Sequence, residues 1–315
     1  CNYIGGEFVC HSGGEWMNVL EPATGHRFGR VPLSTAEDVD AAVAAARAAQ
    51  PAWGALSVAE RADWLDRIAD ALEARYEDIA SLESRDTGKP ISLARAVDAY
   101  RSVANFRFFA GLLREDEQEV FEMKDATNYV VHKPVGVGAL ITPWNLPLYL
   151  LSWKVAPAIG MGNCVVCKPS ELTPMTADLL MGVIHDVGLP AGVVNLVHGD
   201  GAGAGAPLVA HDDVDLVSFT GGTETGQKVA ASAAPSFKKL SLELGGKNAS
   251  IVFADCDMET TVSGVVRAGF LNQGQVCLCG SRVLVEDSIY DEFRDRFVDA
   301  VEAMRVGDPS DESTD

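Results

Sequence analysis

The chain has 315 residues, a formal net charge of −20 and a pI near 4.6. That length is a soft prior for two domains with a sizeable core. The acidic balance argues against nucleic-acid or anionic-membrane partners, which need basic surface, and leaves room only for a local basic site that holds a small anion.

Ordered structure is expected to open with helices. Thr35 with Asp38 three residues on is a capping box, and the alanine-rich run to Gln50 has high helix propensity. Apolar residues at helical spacing (Leu65, Ile68, Ala69, Leu72, Ile79, Leu82) predict one helix over 58–86, closed by Thr87-Gly88. Pro90 starts a third helix, to about Leu113. Glu115, Asp116, Glu117 and Glu119 read as a solvated acidic connector, and the alternation from Thr127 to Lys133 reads as an exposed strand of the edge or assembly type.

From there strands and helices alternate. Strands are expected at 135–141, 163–167, 193–197, 215–219, 238–242 and 249–253, with helices near 148–160, 175–187, 202–210, 223–233, 258–271 and 287–304. Short apolar strands separated by such helices mean a parallel sheet covered on both faces. The uncharged run Pro134 to Trp153 is long enough to span a membrane, but Pro143, Asn145 and Pro147 break it into strand, elbow and helix.

Seven cysteines in no regular framework, with no signal peptide, suggest a reduced cytoplasmic protein. Cys164-x-x-Cys167 has no second pair at zinc-ligand spacing, so no metal is expected. Cys277, among glycines and small polar residues, is either a nucleophile or a packing thiol. Glu243, in the run Leu242-Glu243-Leu244-Gly245-Gly246, is the carboxylate that could serve it as base.

Three runs could serve a ligand. Phe219-Thr220-Gly221-Gly222-Thr223-Glu224-Thr225-Gly226 follows a strand and opens a helix, as a pyrophosphate site would. The cluster Gly199, Gly201, Gly203, Gly205 fits G-x-G-x-x-A without the third glycine, and a glycine-rich turn explains it as well. Lys168 and Glu171 follow another strand and could hold an adenosine ribose, where a carboxylate would favour NAD over NADP; the alternative is a charged loop. Asn145, between Pro143 and Pro147, either caps the next helix or offers its amide to an oxyanion.

Together Pro143-Trp144-Asn145, Lys168-Pro169-Ser170-Glu171, Phe219 to Glu224, Glu243 to Lys247 and Asn272 to Cys277 resemble the aldehyde dehydrogenase superfamily in order and spacing. The resemblance implies an α/β fold with a Rossmann-like parallel-sheet NAD-binding domain at 1–114 and 134–240. It also implies an oligomerisation strand or hairpin at 115–133 and the N-terminal part of a catalytic domain at 241–315. It implies NAD-dependent oxidation of an aldehyde, with Cys277 as nucleophile, Asn145 and the Cys277 N–H as oxyanion donors, and Glu243 as the base that hydrolyses a thioester. Cofactor contacts are implied at Ile141, Thr142, Trp144, Lys168, Glu171, Gly201, Gly221, Gly222, Gly226 and Leu244.

Finer runs, Trp144 to Leu148, Ser152 to Pro157 and Arg101 to Ala110, resemble the muconic-semialdehyde dehydrogenases, which implies that Arg101 pairs with a substrate carboxylate. A surface arginine on an amphipathic helix is the other reading of Arg101. A homodimer or homotetramer is implied as well. The start at Cys1 rather than Met and the polar run Gly307 to Asp315 make both ends look trimmed, and family members continue past the position of Asp315, so the chain is expected to be part of a longer protein. A coenzyme A-acylating relative and a non-catalytic nucleotide binder are the alternatives.

Overall fold

Among the described residues, four short strands precede the first helix, where helices were expected to open the chain. They are β1 (Asn2–Ile4), β2 (Glu7–Val9), β3 (Trp16–Leu20) and β4 (Arg27–Pro32). At three to six residues each, they are too short for the alternation pattern to register. The computed structural model describes residues 1–10, 14–115 and 119–315; Asp116 and Glu117 of the expected acidic connector lie outside the described residues. The antiparallel β1–β2 register sets Asn2 opposite Val9, which places Cys1 beside Cys10, and the two form a disulfide. This corrects the expectation of seven reduced thiols: hairpin geometry, invisible in cysteine spacing, makes the pair.

Helix α1 (Ala36–Gly54) starts as expected, with the Thr35 N–H donating to the Asp38 carboxylate at 2.9 Å. The single helix expected over 58–86 is two, α2 (Val58–Glu73) and α3 (Tyr76–Thr87), broken at Arg75, where no Pro or Gly announces it. Tertiary contacts favour the break, since Tyr76 Oη donates to the Arg95 carbonyl at 2.7 Å. Gly88 closes α3 in the left-handed conformation, φ 76°, as its position predicts. The third expected helix is α4 (Ile91–Leu93), a π-helical turn (Ala94–Ala99) and α5 (Tyr100–Glu115). Strands β5 (Val120–Glu122) and β6 (Thr127–Tyr129) then form an exposed antiparallel hairpin.

The remaining elements follow the predicted alternation within a few residues. They are β7 (Val137–Ile141), α6 (Pro147–Gly160), β8 (Cys164–Lys168), α7 (Met175–Val187), β9 (Val194–Leu196) and α8 (Ala206–Ala210), the last entered through a π-helical turn at Gly201–Gly205. Next come β10 (Leu216–Gly221), α9 (Thr223–Ala233), β11 (Lys239–Leu244), β12 (Ala249–Val252), α10 (Met258–Phe270), β13 (Arg282–Val285) and α11 (Tyr290–Glu302).

The main sheet has the order β11-β10-β7-β8-β9-β1-β2, parallel from β11 to β9 and antiparallel beyond. Helices α1, α8 and α9 lie on one face and α6 and α7 on the other, backed by α2, α3 and α5. Strands β7 and β8 are buried along their whole length, which is why they read as unbroken apolar runs. Strands β12 and β13 pair in a separate small sheet with α10 and α11, around Val252, Val262, Val265 and Phe293. No described helix is long and apolar enough to cross a membrane.

Strand order reverses at β7. Successive strands β8 and β9 lie to one side, and β10 and β11 to the other. Open α/β sheets bind ligands at such a switch point, beyond the carboxyl ends of the strands. The loops after β7 and β10 meet there.

Candidate active site

A cleft of about 1060 Å³ opens at this edge, and Trp144, Asn145, Gly221, Gly222, Glu243, Leu244 and Cys277 all line it. Three elements bring the chemistry together. The elbow after β7 carries Asn145, the end of β11 carries Glu243, and the loop after α10 carries Cys277.

Pro147 occupies the first turn of α6, where its missing N–H costs nothing. Leu146 is the N-cap and makes no side-chain capping bond, so Asn145 does not cap the helix. The buried Glu83 carboxyl instead takes the Leu148 N–H at 3.3 Å. The Asn145 amide crosses to the cysteine loop and donates to the Gln275 carbonyl at 2.7 Å. An amide has two N–H donors, so one remains for a ligand.

The cysteine loop leaves α10 through a sharp turn. Asn272 and Gln273 both sit in the left-handed region, φ 54° and 55°. Asn272 Nδ2 donates to the Asn145 carbonyl at 3.1 Å, and Asn248 Nδ2 donates to the Cys277 carbonyl at 2.9 Å. Cys277 is exposed to the cleft, while Cys164, Cys167 and Cys279 are buried. Cys164 and Cys167, three apart in β8, point to opposite faces, and burial pushes the Cys164 thiol up to about 12 and the Cys167 thiol higher still.

Glu243 pairs in register with Thr220, two positions along from the pair Ser218 and Ser241. By the two-residue period of a strand these four side chains share the cleft face. Lys154 of α6 reaches the same face, 8% exposed, and its ammonium donates to Ser218 Oγ at 2.7 Å. Burial pulls the Lys154 amine down to about 8, against the opposing pull of the Glu243 charge. The sequence reading did not single out Lys154; its signal was a lone cation in the otherwise uncharged helix 147–160.

Thr142, Lys168, Glu171 and Gly201 lie outside the residues that line the cleft. The Thr142 N–H donates to the Lys168 carbonyl at 3.2 Å, at the ends of β7 and β8. Lys168 is buried and its ammonium meets Glu171 at 3.3 Å; burial lowers its pKa, while Glu171 and Asp200 oppose the shift. Gly201 opens the π-helical turn next to Asp200, whose carboxylate accepts from the Gly203 N–H. Ile141 is buried in the core. Gly226 packs against Leu244, whose Cδ2 would lie 2.5 Å from a Cβ there. Arg101 is exposed on α5 and stacks over the Tyr149 ring at 5.3 Å. Tyr149 lines the cleft, beside a wall of Phe109 and Trp153 whose rings are 5.2 Å apart.

The chain's own groups fit a dinucleotide. Helix α9 has 11 residues, and its N-cap, Gly222, brings no side-chain cap, leaving the first N–H groups for an anion. Thr142 Oγ1 is buried with no hydrogen-bond partner among the described residues.

Residues 8–315 match the model of the aldehyde dehydrogenase family. The chain belongs to that family. It is 50% identical to the 2-aminomuconic semialdehyde dehydrogenase of Danio rerio, over 100% of its own length and 64% of that protein's. It is 47% identical to the 2-hydroxymuconic semialdehyde dehydrogenase of Pseudomonas sp. (strain CF600), over 98% of this chain and 65% of the relative. Among solved structures, PnpE in complex with nicotinamide adenine dinucleotide matches with a TM-score of 0.96 and 44% identity, over 99% of this chain and 64% of that one. An aldehyde dehydrogenase structure from Burkholderia cenocepacia matches with a TM-score of 0.97 and 43% identity, over 100% and 64%. This aldehyde dehydrogenase chain thus spans about two thirds of the length of the relatives it matches.

Proposed function

We propose that this chain carries the nucleotide site, the nucleophile and the base of an NAD-dependent aldehyde dehydrogenase acting on a carboxylated semialdehyde of the muconic type. The observation that carries the reading is the convergence of Cys277, Asn145 and Glu243 on one cleft at the sheet's switch point. The Cys277 thiolate attacks the aldehyde carbon, and the carbonyl π electrons move onto oxygen. That oxyanion accepts from the free Asn145 amide hydrogen and the Cys277 backbone N–H. NAD, when bound, supplies the two-electron acceptor for the hydride that leaves this carbon.

Collapse of the oxyanion then leaves a thioester on Cys277. Glu243 takes a proton from water, the resulting hydroxide attacks the thioester, and the acid departs as the thiolate is regenerated. The balance is aldehyde, NAD and water to acid, reduced cofactor and protons.

Lys168 and Glu171 would hold the adenosine ribose, with Gly201 near them, and Ile141, Thr142, Trp144, Gly221, Gly222, Gly226 and Leu244 would shape the rest of the nucleotide site. Glu171 favours NAD over NADP by like-charge repulsion of a 2′-phosphate. The muconic substrate class comes from the named relatives and from Arg101, whose guanidinium lies over a ring of the cleft and carries no ion pair among the described residues. Subunit pairing is assigned to the β5–β6 hairpin, where Val120, Phe121 and Tyr129 face solvent. In the full-length protein, Glu243→Gln should keep a burst of one NADH per site while steady-state turnover falls by roughly 10²–10⁴. Undiminished steady-state turnover would remove Glu243 from the role of base.

A further inference from the structure

The elbow of Asn145 and the loop of Cys277 rest on the same buried turn. Between α3 and α4 the chain reverses at Gly88 and sends Lys89 inward, where it is 0% exposed. The Lys89 ammonium donates to Asp98 Oδ2 at 2.8 Å and to the backbone carbonyl of Asn145 at 3.1 Å. Asp98 is also wholly buried and sits in the π-helical turn Ala94–Ala99. Such insertions re-aim a side chain and recur at functional sites.

Glu83 completes the cluster. It is held by the Leu148 N–H, and burial followed by the Asp98 charge pushes its carboxyl well above the usual range. Burial raises the Asp98 carboxyl as well, while the Lys89 charge and hydrogen bond oppose the shift.

On its other side the turn holds the nucleophile loop. Gln273 Nε2 donates to the Gly88 carbonyl at 3.1 Å, while Asn272 donates to the same Asn145 carbonyl that Lys89 engages. Left-handed non-glycine residues cost about 1–3 kcal/mol each and persist only where their surroundings hold them. These two hydrogen bonds are that restraint for Asn272 and Gln273.

A buried ion pair is poor evidence of stabilisation, because apolar residues of similar volume often serve as well. This pair does something apolar residues cannot: it presents a directed donor to one peptide carbonyl. We propose that Lys89, anchored by Asp98, is a positioning residue that fixes the Asn145 peptide and so keeps the Asn145 amide aimed at the oxygen of a carbonyl bound to Cys277. This rests on the reading of Asn145 as an oxyanion donor.

The test is a mutant cycle in the full-length enzyme. Lys89→Met combined with Asp98→Leu removes both charges of the pair, so neither is left unpaired, and Glu83 keeps the Leu148 N–H. Asp98→Asn is the milder variant should the first not fold. Each is made with Asn145 intact and with Asn145→Ala. With Asn145 intact, kcat should fall about 10- to 100-fold for the double replacement, the scale of an ångström of misplacement. NAD affinity, read by nucleotide fluorescence, should stay within about twofold. Asp98→Asn should cost several-fold in kcat. On Asn145→Ala, either variant should cost less than about threefold further, because its target is gone.

An undiminished loss on the Asn145→Ala background, or an unchanged kcat with Asn145 intact, overturns the positioning role. If Asn145→Ala alone leaves kcat unchanged, the oxyanion reading itself fails and the role of Lys89 falls with it.

Discussion

Lys154 should destabilise the fold at neutral pH, and replacing it by Met should reveal how much. Its ammonium is buried against Ser218 and its pKa drops from 10.5 to about 8, chiefly from lost hydration. The folded state therefore binds this proton more weakly than the unfolded chain does. The penalty is fully present below pH 8 and is relieved as pH rises from about 8 towards 10.5. At 1.36 kcal/mol per pH unit the drop is worth about 3 kcal/mol. Lys154→Met keeps the apolar stem, removes the charge and gives up one hydrogen bond, itself worth about 1 kcal/mol.

The variant should therefore be more stable by about 2 kcal/mol at pH 7 and less stable by about 1 kcal/mol well above pH 10. Urea unfolding of both proteins at pH 7, 8.5 and 10, compared as differences so that other titrating groups cancel, measures this. A difference that does not move with pH, or a wild type more stable at pH 7, would refute the reasoning. Retaining so costly a cation fits a role beside Glu243 rather than in the core.

Two further outcomes follow from the same geometry in the full-length protein. Asn145→Ala should lower kcat by about 10²–10³ while leaving NAD affinity unchanged, and an unchanged rate would return the amide to a structural role. Arg101→Ala should raise KM for an acidic semialdehyde at least tenfold more than for an uncharged aldehyde, measured by initial rates of NADH formation; equal effects on both would end the carboxylate-clamp assignment.

Much of this arrangement was legible in the residues. The strand–helix alternation from Val137 onward follows from apolar runs and turn residues, since strands buried on both faces read as short unbroken apolar runs bounded by turns. The Gly88 cap and the Thr35 start are local chemistry and were found where they were expected. Strands β1 to β4 escaped because three- to six-residue strands carry too little pattern. The break at Arg75 and the π-helical turn around Asp98 escaped because packing across the fold, not local sequence, sets them.

The supporting cast of the site was hidden for the same reason. Lys89 and Asp98 are nine residues apart, yet the carbonyl that Lys89 engages, that of Asn145, lies 56 residues from Lys89. The choice for Asn145 between helix cap and cross-loop donor could be made only once Glu83 was found holding the helix start. The Cys1–Cys10 pair likewise depends on a hairpin register that no spacing rule supplies.

The account turns on covalent capture at one sulfur. The most direct measurement is intact and peptide mass spectrometry of full-length Glu243→Gln protein, quenched after mixing with NAD and an aldehyde substrate. An acyl adduct on Cys277, absent without NAD and discharged by hydroxylamine, is the predicted result. An adduct on any other cysteine, or NADH formed at the wild-type rate with Cys277 replaced by Ala, would contradict it.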